Sequence, residues 1–195
     1  PVLCGRALPY LSILDFGGGR FEVDPAYVWG CNFSVRASVL EAAGGFHPDG
    51  VPKDHLRLRG DGETHVADVV RQQGWRAWFD GRATVHHLVD ARRMTPEYFE
   101  ERAFAQGVSD SYTAIRAAGS LMPERHGIRQ GLQRLLAPAH DWWTSGAWRA
   151  SPIEFKLRTV QARVRKSHRR GWDFHRTEVN RDPALLGWVL KDDYL

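Results

Sequence analysis

The sequence predicts an α/β fold for residues 1 to 94, followed by a helical extension over residues 95 to 195. Two observations support this division. Short apolar runs broken by Gly17-Gly18-Gly19 and Asp24-Pro25 open the chain, which is typical of strands and loops. After Arg93, the sequence has a helix start that contains proline, followed by apolar residues at helical spacing. A chain of 195 residues with 43% hydrophobic residues can bury the core of one or two small domains.

Glycine stops define two helices in the first part. Residues 39–43 form a short amphipathic run that ends at Gly44-Gly45. From Glu63, the spacing of the apolar residues predicts a helix of about three turns that ends before Gly74.

A hairpin is predicted after the second helix. Residues 75–79 and residues 83–86 are extended in character, and Asp80-Gly81 lies between them. Such a pair of residues between two apolar runs is typical of a tight turn that joins antiparallel strands.

The second part carries three helix starts. Thr95-Pro96 opens the first, a capping box at residues 151–154 opens the second, and Asp182-Pro183 opens a short third. Pro123 and Pro138 divide the segments between the first and the second. The helix predicted over residues 152–170 has one apolar face and no acidic residue from 156 to 170. Its seven cations are Lys156, Arg158, Arg163, Arg165, Lys166, Arg169 and Arg170.

Charge and cysteine content restrict the function classes. The 27 Lys and Arg against 23 Asp and Glu leave a net charge of +4, far from that of a dedicated nucleic-acid binder. Cys4 and Cys31 have neither metal-binding nor redox spacing, so we expect a reducing, cytoplasmic compartment. No run approaches the ~18 apolar residues of a membrane span. Contact with an anionic membrane surface is a further expectation, because of the cationic helix.

The chain opens on Pro1 with neither an initiator methionine nor a leader. This start predicts a fragment of a longer protein.

A series of short motifs over roughly the middle 80 residues resembles family 2 glycosyltransferases of the GT-A fold. No single motif is specific, but their order and spacing match those of the family. In chain order they are Trp29-Gly30-Cys31-Asn32-Phe33-Ser34-Val35-Arg36, Gly44-Gly45-Phe46, Gly60-Asp61-Gly62-Glu63-Thr64, Gly74-Trp75, Ala83-Thr84-Val85-His86, Arg93-Met94-Thr95 and Gln106-Gly107.

The resemblance implies that residues 1 to 94 form the C-terminal, acceptor-side half of a Rossmann-like GT-A domain. It also implies inverting transfer of a sugar from a nucleotide-sugar donor to the hydroxyl of a glycan or lipid-linked acceptor. The family binds the donor's metal through an Asp-any-Asp pair, and this sequence has no such pair. We therefore expect the isolated chain to lack the donor-binding half and to be inactive alone.

Two acids are candidates for the catalytic base. Glu63 opens a helix directly after Gly60 and Gly62, where a negative charge is stabilised by the helix N-terminus. Many family members have Glu-Asp at this site and use the aspartate as the base, whereas this chain has Gly62-Glu63. This departure leaves the register of the motif open, and Asp61, two residues earlier, is the alternative base. Counting back from Gly74-Trp75 favours Glu63.

The resemblance also assigns binding residues. His86 would be a ligand of a divalent cation, Mn²⁺ or Mg²⁺, on the donor diphosphate, and Mn²⁺ accepts mixed nitrogen and oxygen ligands. Arg92 and Arg93 would contact the diphosphate leaving group. The acceptor or sugar pocket would be lined by Trp29, Gly30 and Asn32.

Two other function classes remain open. Without a donor half, the chain could be a non-catalytic glycan-binding or scaffold module that pairs with a separate catalytic chain. A basic interaction domain is the weaker alternative, because the cations of residues 156–170 are not interleaved with aromatic residues that would stack on bases. We therefore expect no nucleic-acid partner.

Overall fold

The structure, a computed structural model, describes residues 9–121 and 151–194. The predicted breaks at Pro123 and Pro138 lie outside these residues, as does Cys4. The regular elements are β1 (Arg20–Val23), α1 (Ala37–Ala42), α2 (Glu63–Gln72), β2 (Ala77–Asp80), α3 (Pro96–Ala118), α4 (Pro152–Arg181) and α5 (Pro183–Val189). Short 3-10 turns cover Pro9–Leu11, Pro25–Tyr27, Lys53–Leu58 and Ala91–Met94.

The predicted helix ends are confirmed where local capping determines them. The Thr95 hydroxyl accepts the Tyr98 N–H at the start of α3, and Ser151 and Glu154 form the predicted capping box of α4. Gly44 and Gly74 follow α1 and α2 with φ of +70° and +69°, a conformation that favours glycine. The fourth helix is longer than residues 152–170, because its 30 residues continue to Arg181 before Asp182 caps α5.

The predicted Rossmann-like α/β fold is wrong. Over the described ranges the structure is mainly helical, and its one sheet is the antiparallel pair of β1 and β2, with Phe21 opposite Phe79. A parallel sheet requires strands buried on both faces, whereas none of the residues of β1 or β2 is buried. These short strands therefore cannot form the centre of a layered α/β domain.

The predicted hairpin is also wrong. Residues 84–90 are not in a strand, and β2 pairs with β1 from early in the chain instead of with residues 83–86. After β2, the Arg82 side chain turns back onto the Asp80 carboxylate. Residues 83–87 then contact earlier segments of the chain instead of β2. The Ala83 carbonyl accepts from the Asn32 amide, and the His87 ring contacts the Leu11 carbonyl.

Helices α3 and α4 run side by side, and two glycines let their backbones approach closely. A Cβ atom at Gly107 of α3 would lie 2.9 Å from the carbonyl carbon of His168. Reciprocally, a Cβ atom at Gly171 of α4 would lie 2.8 Å from the carbonyl carbon of Phe104. Any larger residue would push the helices apart.

The C-terminal segment returns to the first part of the chain. Tyr112 and Ile115 of α3 form a buried cluster with Val179, Leu185 and Val189. Beyond α5, the Tyr194 N–H donates to the Gly44 carbonyl at 2.8 Å, and the Trp188 indole N–H donates to the Leu58 carbonyl at 3.3 Å. The helical segment therefore braces the residues that lead into α2. No helix in residues 9–121 or 151–194 combines the length and apolar character needed to cross a bilayer.

A buried histidine joins α3 and α4. The fully buried His175 ring lies 2.9 Å from the Ser111 hydroxyl, and its Nε2 has no hydrogen-bond partner. Burial, reinforced by the nearby Arg176, lowers the pKa of His175 from 6.5 to about 4. Above pH ~6.5 the ring is neutral in both states. Between pH 6.5 and 4 the unfolded chain takes up the proton and the folded chain does not, so folded stability falls as the pH falls.

We expect this histidine to remove roughly 3 kcal/mol of unfolding free energy between pH 7 and pH 4. The measurement is urea unfolding at both pH values, compared with His175→Gln, which does not titrate. The variant should have the shallower pH dependence. An identical dependence in both proteins would rule out His175 as the group responsible.

Candidate functional site

A half-open pocket of about 440 Å³, lined mainly by polar and charged residues, lies where the start of α2 faces α3 and α4. Pockets of this size hold small molecules. Asp49, Arg59, Asp61, Glu63 and Thr64 line it from the side of α2 and the segment before it. Helix α3 contributes Arg102, Gln106, Ser109, Asp110, Thr113, Ala114 and Ala117, and α4 contributes Trp172. The pocket therefore brings together the motifs of residues 60–64 and 106–107.

Two glycines shape the entry into α2. Gly62 has φ of +55°, and a Cβ atom there would lie 3.1 Å from Cβ of Asp49. A Cβ atom at Gly60 would lie 3.0 Å from the Pro48 carbonyl oxygen, to which the Gly60 N–H donates. The backbone conformation of Gly62, with φ of +55° and ψ of −124°, requires glycine, and an added Cβ atom would also be in tight contact with the Asp49 side chain.

Glu63 is the first residue of α2, and its carboxylate is partly positioned. Oε1 accepts the backbone N–H of Gly30 at 3.0 Å. A Cβ atom at Gly30 would lie 3.4 Å from the same oxygen, which is an ordinary van der Waals contact, so this hydrogen bond does not itself require glycine. Within the described residues Oε2 forms no hydrogen bond, which leaves it available to a ligand in the pocket.

Asp61 has a different environment. Its carboxylate is nearly buried, with Oδ1 2.6 Å from Nδ1 of His47 and Oδ2 accepting the Thr113 hydroxyl at 2.6 Å. His47 in turn stacks on His65, with ring centroids 3.9 Å apart. Both oxygens are thus engaged in linking the segment before α2 to α3. Both oxygens of Asp61 therefore have partners, whereas one oxygen of Glu63 has none among the described residues.

Two arginines that sequence reasoning missed also line the pocket. The Arg59 side chain is 11% exposed, forms an ion pair with Asp49 and donates from Nε to the Ser109 hydroxyl at 3.0 Å. Burial lowers the pKa of Arg59, Asp49 opposes this shift, and the nearby positive charge of Arg102 adds to it. Arg102 itself has no hydrogen bond or ion pair in the described part of the chain, and its Nε is buried.

The polar residues that α3 contributes to the pocket could have been recognised from their spacing in the sequence. Arg102, Gln106, Ser109 and Thr113 recur at intervals of three or four residues, which places polar side chains on one helix face. The opposite side depends on long-range packing, because Arg59 lies 43 residues before Arg102 in the chain.

None of the three predicted acceptor residues, Trp29, Gly30 and Asn32, is in the lining of this pocket. The Trp29 indole N–H donates to the Ala26 carbonyl at 3.2 Å, and the Asn32 amide donates to the Ala83 carbonyl at 2.7 Å. These contacts hold the loop that presents the Gly30 N–H. Of the three residues, Gly30 alone contacts Glu63 through the hydrogen bond described above.

The predicted donor residues lie outside the pocket lining. His86 is exposed in the segment after β2. Arg92 is 84% exposed beside Asp90, while Arg93 donates from Nε to the Tyr98 hydroxyl at 2.7 Å and lies 3.3 Å from Nε2 of His87. In residues 9–121 and 151–194, no three His, Cys, Asp or Glu side chains are grouped to hold a metal ion. The ligand role of His86 stays a prediction.

Comparison of the chain with protein-family models, with curated proteins and with solved structures finds no match. The likeness to family 2 glycosyltransferases therefore stays an expectation that rests on the motifs.

Proposed function

We propose that this chain provides the acceptor side of an inverting glycosyltransferase, with the pocket as acceptor site and Glu63 as catalytic base. One observation carries the proposal. The Glu63 carboxylate opens α2 at the pocket wall, with one oxygen held by the Gly30 N–H and the other without a partner among the described residues. The proposal rests on this arrangement of residues and not on a GT-A fold.

The arrangement suits proton abstraction from an alcohol. An acceptor hydroxyl in the pocket would donate its hydrogen bond to Oε2 of Glu63. As the acceptor oxygen bonds to the anomeric carbon and the bond to the diphosphate breaks, the proton moves to Glu63. Holding the other oxygen on a backbone N–H fixes the direction in which the base points, which favours one attack geometry.

Other pocket residues suit a sugar. Trp172 can offer an apolar face to a pyranose ring, and Gln106 can exchange hydrogen bonds with ring hydroxyls. Helix α3 supplies most of the polar lining, so the acceptor would lie along it.

The donor part of the proposal comes from the motifs alone. A nucleotide-sugar would bind through its diphosphate, with Arg92 and Arg93 close to the leaving group. A divalent cation, Mn²⁺ or Mg²⁺, would neutralise part of the diphosphate charge. We assign no step to it, because the described residues do not gather a ligand set around His86.

The transfer is tested in the longest natural chain that contains these residues. It is incubated with UDP-, GDP- and dTDP-sugars, Mn²⁺ or Mg²⁺, and simple glycoside acceptors, and nucleoside diphosphate release is measured. Acceptor-dependent release supports the proposal. Tight acceptor binding without release from any donor would count against it.

A non-catalytic glycan-binding or scaffold module is the second candidate. It is favoured by one observation, the lack of an Asp-any-Asp pair in the 195 residues. Such a module would bind oligosaccharide in the same pocket with equal affinity whether residue 63 is Glu or Gln, and a separate chain would supply the chemistry.

We also propose a cytoplasmic location beside an anionic membrane, through α4. Six of its seven cations between residues 156 and 170 are exposed, while Val164 packs against Leu11 and Phe99, so the apolar stripe is partly used by the core. Arg163 is ion-paired with Glu97 and Glu100, and each of the other five exposed cations contributes up to ~1 kcal/mol near an anionic surface.

The chain is therefore expected to sediment with phosphatidylserine vesicles and not with phosphatidylcholine vesicles. Exchanging Arg165, Lys166, Arg169 and Arg170 for glutamine should abolish the difference. Equal sedimentation of the parent protein with both vesicle types would contradict the membrane contact.

A further inference from the structure

The charged groups that line the pocket are paired, with two exceptions. Asp49 pairs with Arg59, both oxygens of Asp61 are engaged, and Asp110 accepts from the Gln106 amide at 2.8 Å and lies 2.7 Å from Nε2 of His168. The exceptions are one oxygen of Glu63 and the guanidinium of Arg102.

Arg102 differs from the paired charged groups of the pocket, because it has no hydrogen-bond or ion-pair partner among the described residues. A guanidinium nitrogen that is withdrawn from water and left without an acceptor, such as Nε of Arg102, carries a desolvation cost. Arg102 also lies near a second cation, Arg59, whose carboxylate partner is already engaged. An anion supplied by a ligand would satisfy Arg102 and reduce the repulsion between the two arginines.

We propose that the acceptor carries an oxyanion group, a carboxylate or a phosphate, that pairs with Arg102 while an acceptor hydroxyl contacts Glu63. This inference deepens the proposed function and rests on it for the role of the hydroxyl. A pocket of about 440 Å³ can hold one acidic monosaccharide between the two groups. The planar guanidinium can bind either oxyanion through two parallel hydrogen bonds.

Calorimetric titration of the longest natural chain tests the inference without any need for catalysis. The probes are methyl β-D-glucuronide for the carboxylate, glucose 6-phosphate for the phosphate and methyl β-D-glucoside as the neutral sugar. We expect at least one acidic sugar to bind about 10- to 100-fold more tightly than the glucoside, as for a hydrogen-bonded charge pair. Whichever acidic probe is preferred identifies the source of the oxyanion.

Arg102→Gln should abolish that preference, and Arg102→Lys should retain part of it because the charge remains. Arg57→Gln is the matched control, since Arg57 is exposed and outside the pocket lining, and it should leave all three affinities unchanged. Equal affinity for acidic and neutral sugars overturns the inference. So does a preference that survives in Arg102→Gln, or failure of both acidic probes to bind at millimolar concentration.

The inference and the proposed function fail in different ways. Binding of an acidic sugar through Arg102 without transfer from any donor would leave the inference standing and refute the transferase. Transfer to neutral acceptors that depends on Glu63 but not on Arg102 would support the transferase and refute the inference.

Discussion

Replacing Glu63 with glutamine is expected to lower kcat by about 10²–10⁴, because the amide keeps the shape of the side chain but cannot take the acceptor proton. The amide oxygen of glutamine can still accept from the Gly30 N–H, so the loop geometry should survive. Acceptor and donor affinities should therefore change little. The measurement is steady-state nucleoside diphosphate release by the longest natural chain that contains these residues, with the acceptor Kd determined separately.

Asp61→Asn is the comparison that decides between the two acids. Asp61 accepts the Thr113 hydroxyl and contacts His47 while nearly buried, and an asparagine amide can satisfy only one of these partners as an acceptor. We expect it to lower the unfolding free energy by roughly 1–3 kcal/mol and to reduce kcat of the folded protein far less than Glu63→Gln. A near-normal Glu63→Gln enzyme beside a folded but inactive Asp61→Asn enzyme would transfer the role of base to Asp61.

Alanine at Gly107 is expected to lower the unfolding free energy by about 1–3 kcal/mol or more, the typical cost of overpacking. Its Cβ atom would meet the backbone of His168 and lie 2.9 Å from the Trp172 nitrogen, and backbone atoms cannot rotate away as side-chain ends can. Because α3 and α4 also line the pocket, Arg102 and Trp172 should move apart and acceptor binding should weaken. Thermal and urea unfolding measure the first effect and calorimetry the second.

Gly171→Ala should behave in the same way, since its Cβ atom would meet the backbone of Phe104. Gly187→Ala is the control, because this glycine lies in α5 with no atom within 4 Å of an added Cβ. It should be neutral or stabilising by up to ~1 kcal/mol, as alanine favours a helix more than glycine. Equal stability of all three variants would show that the close crossing of α3 and α4 does not limit the choice of residue.

The sequence was sufficient to predict the position of Glu63 but not the contacts that distinguish it from Asp61. Glu63 at the start of a helix followed from Gly62 before it, the apolar spacing after it and Gly74 at its end, all within thirteen residues. The sequence favoured Glu63 over Asp61 only by its position at the helix start and its distance from Gly74-Trp75, and it left Asp61 as the alternative. The contacts that distinguish the two acids come from Gly30, His47 and Thr113, which lie in three distant segments.

Local patterns were thus sufficient for the helix ends, because a capping hydroxyl or a glycine with positive φ acts on neighbouring backbone groups. They were insufficient for the strands, since residues 83–86 have strand character but β2 takes its partner from residues 20–23. Pairing of distant segments depends on which surfaces the rest of the chain buries, and here the helices α3, α4 and α5 supply most of the core. The sequence alone was therefore enough to predict a helix that presents an acid, whereas the pocket around that acid, with Arg59 and Arg102, required the tertiary structure.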